Sequence, residues 1–446
     1  MDAVKQLAVD DRWIADSACV RRQIHPPRMH PQPILFADRP WEKLGVTLYG
    51  TVDYDETDGF RMWYKAHDHE RFPRVCYATS SNGMDWQKPE LGICEFGGNT
   101  RNNIVFVPPG QLDGPNIIFD PDDAAAPYKM VIHLDHDGRR AVWGVTSPDG
   151  LHWKLQAQPF GHDFDDRPQA MAHRDHEGKL VVLGRKHDMF ATYNERVVYR
   201  MTSDDFETWS EPQVVMKSDL ADPPYMQCYS MTGFQWDSIY LGILEKMYVE
   251  PDVIDCELVF SPDGKDWQRI EPRTTFLPRG PAGSWNSHWV CTGSNPPPVY
   301  NDRLWWFLSG RTACHGIRRP DSLKEIGVAS GRVDGFASLT TTEQGGWIRT
   351  RPFLWPGGEL GINADTRRSM TMDPRFVSGE IRVEVLDENG AVIPGLSRDA
   401  CQPFRRDKGL HTMTWTDKNM ASLTGRTIAL VFVMHEAHLY GFENSA

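Results

Sequence analysis

Ser261-Pro262-Asp263-Gly264-Lys265-Asp266-Trp267 is one copy of a stretch that this chain carries four times. The others are Ser80-Ser81-Asn82-Gly83-Met84-Asp85-Trp86, Ser147-Pro148-Asp149-Gly150-Leu151-His152-Trp153 and Ser203-Asp204-Asp205-Phe206-Glu207-Thr208-Trp209. Their starts lie 67, 56 and 58 residues apart, and a weaker copy, Ser330 to Phe336, begins 69 residues after the last. The residues spell a tight turn. Asp or Asn hydrogen-bonds its own backbone two residues on. Gly accepts a positive φ that other side chains resist. Trp opens the next strand and covers the apolar side of the turn. Periods of this size belong to radial repeats, in which each copy marks one supersecondary unit.

Each turn follows a β-rich run: Val75 to Thr79, Ala141 to Thr146, Val197 to Thr202, Glu257 to Phe260 and Glu325 to Ala329. A second run precedes each of these: Phe60 to Lys65, Tyr128 to His133, Leu180 to Arg185, Ile239 to Leu244 and Arg303 to Leu308. A third lies before that: Gly45 to Val52, Asn116 to Phe119, Ala170 to His173, Ser230 to Gln235 and Pro298 to Tyr300. With the strand after the turn, every unit has four strands. The expected fold is all-β, a five-bladed β-propeller over residues 41–344. From 345 to 446 the pattern becomes a string of short strands with turn signals such as Asp387-Glu388-Asn389-Gly390, which reads as a β-sandwich domain. Residues 1–40, with four prolines between His25 and Pro33, read as an N-terminal arm over the surface.

Composition agrees with this plan and excludes several functions. The 446 residues hold 16 Trp, 13 Tyr and 20 Phe beside 37 Gly and 32 Pro, which suits many short strands joined by turns. The charge of −13 lacks the basic face that a nucleic-acid or anionic-membrane partner demands. The start Met1 to Trp13 shows no basic stretch followed by an apolar one, and runs such as Ile428 to Met434 are too short to span a bilayer. Eight cysteines form no CxxC pair and no zinc-ligand spacing. Cys76, Cys228, Cys256 and Cys291 fall in or beside apolar strands, so buried thiols in a reducing cytoplasm are expected.

The chain plan resembles the five-bladed glycoside hydrolase superfamily, which includes invertase-like, arabinanase/xylosidase-like and mannoside-phosphorylase families. The turns and segments such as Phe60-Arg61-Met62-Trp63-Tyr64 carry the resemblance. It looks closest to a branch with a C-terminal β-sandwich, through Pro40-Trp41-Glu42, Lys88-Pro89-Glu90-Leu91-Gly92, Asn102-Asn103-Ile104-Val105, Glu325-Ile326-Gly327-Val328-Ala329 and Leu439-Tyr440-Gly441-Phe442. The invertase-like WMNDPNG and RDP signatures are absent in recognisable form. The resemblance implies carbohydrate chemistry in a central funnel lined by the innermost strand of each blade, with acids at the inner-strand starts of the first three blades. Those positions hold Glu42, Asp113 and Asp165-Asp166.

Glycoside hydrolysis needs two carboxyl groups flanking the bond, one to protonate the leaving oxygen and one to attack or activate water. Glu42 is the expected nucleophile or base. Asp166 is expected to orient the sugar or stabilise the oxocarbenium charge, with Asp165 beside it. The proton donor is Asp113 or Glu245, the latter interrupting an apolar strand end where a charge needs a reason. The plain alternative for the first three sites is a solvated turn or strand cap, and for Glu245 an ion pair with Lys246 or a nearby Arg. Substrate contacts are expected from Arg185, Arg196, His288 and His315, and from the rings of Trp41, Trp285 and Trp289. Burial between blades is the alternative for these tryptophans.

His67-Asp68-His69-Glu70, Asp135-His136-Asp137 and His173-Arg174-Asp175-His176 are dense, but the last two read as hairpin turns, and no metal ligand set is assigned. No cofactor is expected, and a structural calcium in the central channel stays open. The leading function is a glycosidase for small oligosaccharides. A glycoside phosphorylase and a non-catalytic sugar-binding propeller are the alternatives. The expected partner is a small carbohydrate, and the C-terminal domain offers a face for homo-oligomers.

Overall fold

The computed structural model describes residues 5–70, 72–162, 167–188, 195–293, 296–314, 323–366 and 379–445. The fold is all-β. Among the described residues the helical elements are two 3₁₀ turns, Pro40–Glu42 and Met420–Leu423, and no helix is long and apolar enough to cross a membrane. The chain divides into two compact units. Unit 1 comprises Met1–Pro26, Ile270–Thr274 and Gly331–Ala446; unit 2 comprises Pro27–Arg269 and Thr275–Ser330.

Unit 2 is a series of antiparallel meanders. The first sheet runs Val46–Asp55, Gly59–His67, Pro73–Ser80, Ile104–Phe106. The second runs Gln111–Phe119, Tyr128–His136, Arg139–Ser147, Lys154–Leu155, and the third Gln169–Ala170, Leu180–Asp188, Glu195–Ser203, Gln213–Met216. The fourth begins Met226–Trp236, Ile239–Tyr248, Val253–Ser261, whose last strand also pairs Gln268–Arg269 and Thr275–Leu277. The fifth runs Trp289–Thr292, Arg303–Arg311, Lys324–Arg332, Arg28–Met29 and touches the fourth through one parallel pair, Ile254 with Trp289. Strands such as Val253–Ser261 are buried along their whole length, as strands covered on both faces must be.

The repeated turns join the third and fourth strands, and each is built alike. Asp149 Oδ1 accepts from the amides of Leu151 and His152 at 2.9 and 2.8 Å, Ser147 Oγ accepts from the Gly150 amide at 2.9 Å, and Trp153 Nε1 donates to the Gly150 carbonyl at 3.0 Å. Asn82, Asp205 and Asp263 accept the same pair of amides in their own copies. Gly83, Gly150 and Gly264 take φ of 71°, 74° and 73°, and Phe206 takes 65° in the copy without glycine.

First strands of successive sheets lie side by side. The Ile117 amide donates to Thr51 Oγ1 (2.9 Å), Asn116 Nδ2 to the Pro168 carbonyl (2.6 Å), and Thr232 and Thr292 share a hydroxyl bond (3.0 Å). The Leu48 amide donates to Ser309 Oγ (2.6 Å), which returns the fifth sheet to the first.

The fifth sheet differs from its expected form in two ways. Its first strand is Trp289–Thr292, while Val299–Tyr300 only forms a short hairpin with Arg303 and Leu304. Its fourth strand is Arg28–Met29, contributed from the N-terminal segment. The strand after the fifth turn, Ala337–Thr340, pairs instead with Arg21–Ile24 and His438–Ser445 in unit 1. A turn signal sets where a strand begins but not which edge it joins.

Unit 1 has two sheets around one apolar core that includes Trp13, Ile348, Leu360, Ile362, Val383, Leu430 and Phe432. Gln6–Leu7 and Ile14–Ala18 add strands to these sheets, so the segment expected as a surface arm supplies sheet edges instead.

Candidate active site

The side-by-side first strands of unit 2 have two ends, and each end forms a mouth. At the one where the first strands begin, three rings meet: Tyr49 lies 6.1 Å from Trp289, and Tyr229 5.7 Å from Trp289, both edge to face. Cations surround them. Lys65 Nζ stands 5.4 Å and the Arg167 guanidinium 3.9 Å from the Tyr49 ring. Arg185 and Arg196 lie 4.3 and 5.9 Å from Tyr229, and Arg311 lies 5.6 Å from Trp289. Such distances allow cation–π attraction.

Local backbone irregularities aim these groups. Strand register slips between Thr47 and Thr51, a segment that holds Tyr49. It slips again between Cys228 and Ser230, on either side of Tyr229, and in the second sheet beside Asp113. A bulge turns a side chain away from the regular alternation of a strand and is frequent beside functional sites. In the second sheet the slip spans Gly114, whose φ of 60° favours glycine.

Arg167 is the hub. Its Nη2 donates to Glu245 Oε1 at 2.5 Å and to the Thr292 carbonyl at 3.3 Å, and its Nε to Glu245 Oε2 at 3.3 Å. With the Gln169 amide turned to donate to Asn116, its oxygen accepts both Arg167 Nη groups at 2.7 Å. One side chain thereby touches four of the sheets. Burial works against the Arg167 charge, but Glu245 and Tyr49 offset it, and its pKa stands above the ordinary guanidinium value. Burial, then Tyr229 and Cys291, push the Tyr49 phenol well up, so it stays a neutral hydroxyl.

Carboxyl groups of these sheets occupy contrasting settings. Asp113 pairs with the buried Lys65 and keeps 30 % of its side chain exposed. Glu245 is fully buried, with Arg167 across both oxygens. On the fourth sheet Asp255 faces Lys246 at 3.7 Å, and burial pushes its carboxyl up from the usual range although Lys246 and Arg279 pull it down.

The sequence candidates divide. Asp113, Glu245, Arg185, Arg196 and Trp289 gather at this mouth. His288 immediately precedes the Trp289 strand, and its Nδ1 meets Ser287 Oγ at 2.9 Å. Asp165, Asp166 and His315 lie outside the described residues. Glu42, Trp41 and Trp285 sit elsewhere. Glu42 is buried; Oε1 accepts from the Tyr64 hydroxyl at 2.6 Å, while Oε2 accepts from Lys88 at 2.7 Å and from the amides of Asp38 and Arg39 at 3.1 and 3.2 Å. Four donors leave little room for a substrate proton, and the group anchors the Pro40–Glu42 turn to the first sheet. Trp41 donates to Asn103 Oδ1 at 2.9 Å within that sheet's core. Trp285 is 6 % exposed, and a Cβ on Gly310 or Gly327 would stand 2.2 or 2.1 Å from its ring. It is packing, not a sugar platform.

Tyr49, Tyr229, Arg167, Lys65 and Arg311 escaped the sequence reading. The repeat does hold a signal for two of them: Lys65 and Arg311, like Arg185 and Lys246, fall near the end of a second strand. Among the described residues no group of three or more His, Cys, Asp or Glu side chains could hold a metal ion.

No family model and no curated protein sequence matches the chain. Solved structures match by shape. One is an N-acetylgalactosamine deacetylase from F. plautii in complex with blood group B trisaccharide (14 % identity, TM-score 0.47, 72 % of this chain and 97 % of that one). Another is a thermostable family-43 glycoside hydrolase (15 %, 0.46, 70 % and 95 %). A third comes from the mannoside phosphorylase family said to contain hydrolases of β-1,2 mannosidic linkages in Candida mannan (15 %, 0.45, 69 % and 94 %). At these values the likeness carries no weight for chemistry, which rests on the residues.

Proposed function

We propose that unit 2 is a five-bladed β-propeller and that the chain is a glycosidase cleaving a terminal bond of a small oligosaccharide or glycoside. The observation that carries this reading is the convergence at one mouth of a part-open carboxylate, Asp113, with the Tyr49–Trp289–Tyr229 rings and their Lys and Arg forks. The half-buried Trp289 offers a ring to the apolar face of a sugar, the buried Tyr49 and Tyr229 back it, and forks hold hydroxyl or acidic groups. Asp113, steadied by Lys65, is the base or nucleophile. Asp255 has the raised pKa that a proton donor needs, and Asp166 keeps the orienting role assigned from its position before the third sheet. Glu245 holds Arg167 in place and acts only through it. The reading requires no cofactor and fits a cytoplasmic enzyme taking imported short saccharides.

The test is a screen against nitrophenyl glycosides and natural disaccharides, followed by single substitutions. Asp113→Asn is expected to lower turnover by roughly 10²–10⁴-fold with folding intact. Loss of less than about tenfold in a folded Asp113→Asn variant would remove Asp113 from the chemistry. A phosphorylase is the second reading, favoured by the cations around the rings, which would also seat phosphate. Turnover that rises with inorganic phosphate and vanishes without it selects the phosphorylase.

A further inference from the structure

The other mouth of unit 2 holds a cavity of about 270 Å³. It is formed where the first strands end. Asp53 and Tyr54 close the strand Val46–Asp55, Phe119 closes Gln111–Phe119, and Trp236 closes Met226–Trp236; Tyr128, His173 and the Pro296–Val299 segment add to the wall. At about 3.3 Å per residue, Trp236 lies roughly 23 Å along its strand from Tyr229, so this cavity is remote from the carboxylates at the first mouth.

Its chemistry is mixed in a specific way. Phe119 is 39 % and Val299 45 % exposed, an apolar rim left facing water. Asp53 brings a charge pair to this wall. Asp53, its side chain 45 % exposed, pairs with Arg61, and Arg61 Nη1 donates to the Tyr128 hydroxyl at 3.1 Å. Arg61 Nε is buried with no acceptor among the described residues.

Each class of occupant can be weighed against this wall. A ligand ammonium would seek the ring faces, but the Arg61 guanidinium already lies 5.8 Å from Trp63 and 5.9 Å from Tyr128, and its charge repels another cation. An anion meets the Asp53 carboxylate. A purely apolar guest would bury the Asp53–Arg61 pair without replacing its water. A neutral polyhydroxylated ring meets all three: its C–H face lies on Phe119 or Trp236, and one hydroxyl donates to Asp53, whose charge Arg61 balances from behind the wall.

We propose that this second mouth is a binding site for a neutral monosaccharide or the neutral end of an oligosaccharide, separate from the reaction mouth. It does not depend on the glycosidase reading. The test is titration of the full chain with glucose, mannose, galactose and xylose, followed by tryptophan fluorescence and calorimetry. Asp113→Asn, which alters only the first mouth, is expected to leave saturable binding of at least one of these sugars. Asp53→Asn, nearly isosteric, is expected to weaken that binding by about tenfold, the usual loss for one hydrogen bond to a charged group. Trp236→Ala is expected to weaken it as well, and Phe119→Ser, at an exposed position, replaces it if that variant does not fold. Tetramethylammonium and glucuronate should not compete. The proposal is overturned if no neutral sugar binds the Asp113→Asn protein, or if the binding is indifferent to both Asp53→Asn and Phe119→Ser. Loss of turnover in Asp113→Asn with this binding retained separates the two sites.

Discussion

Asp149 shows how one side chain can shape a repeat. Its carboxylate gathers two amides, the Ser147 hydroxyl and the His152 ring. Burial is the largest single influence and opposes its charge, but the hydrogen bonds together prevail and pull its pKa from 3.8 to about 2. A depressed carboxylate stabilises the fold above its unfolded pKa, so this contribution is present above about pH 4 and is lost as pH falls toward 2. Asp149→Ala is expected to lower stability by about 1 kcal/mol in urea titrations. Asp149→Asn, which the first copy already uses as Asn82, should lose less and should flatten the acid limb. The Arg167–Glu245 pair has larger stakes, because both members are buried. Removing either alone should destabilise by about 3–5 kcal/mol, while Arg167→Met with Glu245→Leu should recover most of that loss. If Glu245→Leu alone leaves the denaturation midpoint unchanged, the pair is not what holds this end of the first strands.

At the scale of elements, strand register decides what each segment presents. The slips at Tyr49 and Tyr229 bring rings together that regular alternation would send elsewhere. Trp285 illustrates the converse, lying flat over two glycines on neighbouring strands, Gly310 and Gly327. The edge strand Arg21–Ile24 runs into His25, whose Nε2 meets Ser338 Oγ at 2.8 Å, while His438 Nδ1 meets the same hydroxyl at 3.0 Å. Burial, then the proximity of His438 and Arg332, lower the His25 pKa from 6.5 to about 4. The unfolded chain therefore binds more protons between those values, and stability falls as pH drops from about 6.5 to about 4. Denaturation of the full chain at stepped pH should show this loss, and His25→Asn should make it shallower. A slope unchanged by that substitution would mean that His25 titrates normally.

At the scale of the molecule, the N-terminal segment contributes edges. Arg28–Met29 covers the last strand of the fifth sheet, and Gln6–Leu7, Ile14–Ala18 and Arg21–Ile24 complete sheets of unit 1. Uncovered strand edges template aggregation. A chain begun at Gln32 should therefore elute as aggregates in size-exclusion chromatography. A monomeric, cooperatively melting product of the deletion would show these edges to be dispensable.

The sequence by itself determined the turns, and with them the all-β class and the strand count of most units. Their signal is local: an Asx residue, a residue at positive φ and a Trp within seven positions suffice to bend the chain. It also put Asp113, Arg185, Arg196, Glu245 and Trp289 within a few residues of strand ends, because strand polarity follows from turn positions. Only the tertiary structure decided that Glu42 is sealed by Lys88 and Tyr64, that Trp41 and Trp285 are packing, and that Arg28–Met29 finishes the fifth sheet. Those outcomes depend on partners dozens to hundreds of residues away and on bulges that shift register by a residue or more. The Tyr49–Trp289–Tyr229 cluster joins strands whose members are 180 and 60 residues apart in sequence (229 − 49 and 289 − 229), a proximity that only closure of the sheets creates.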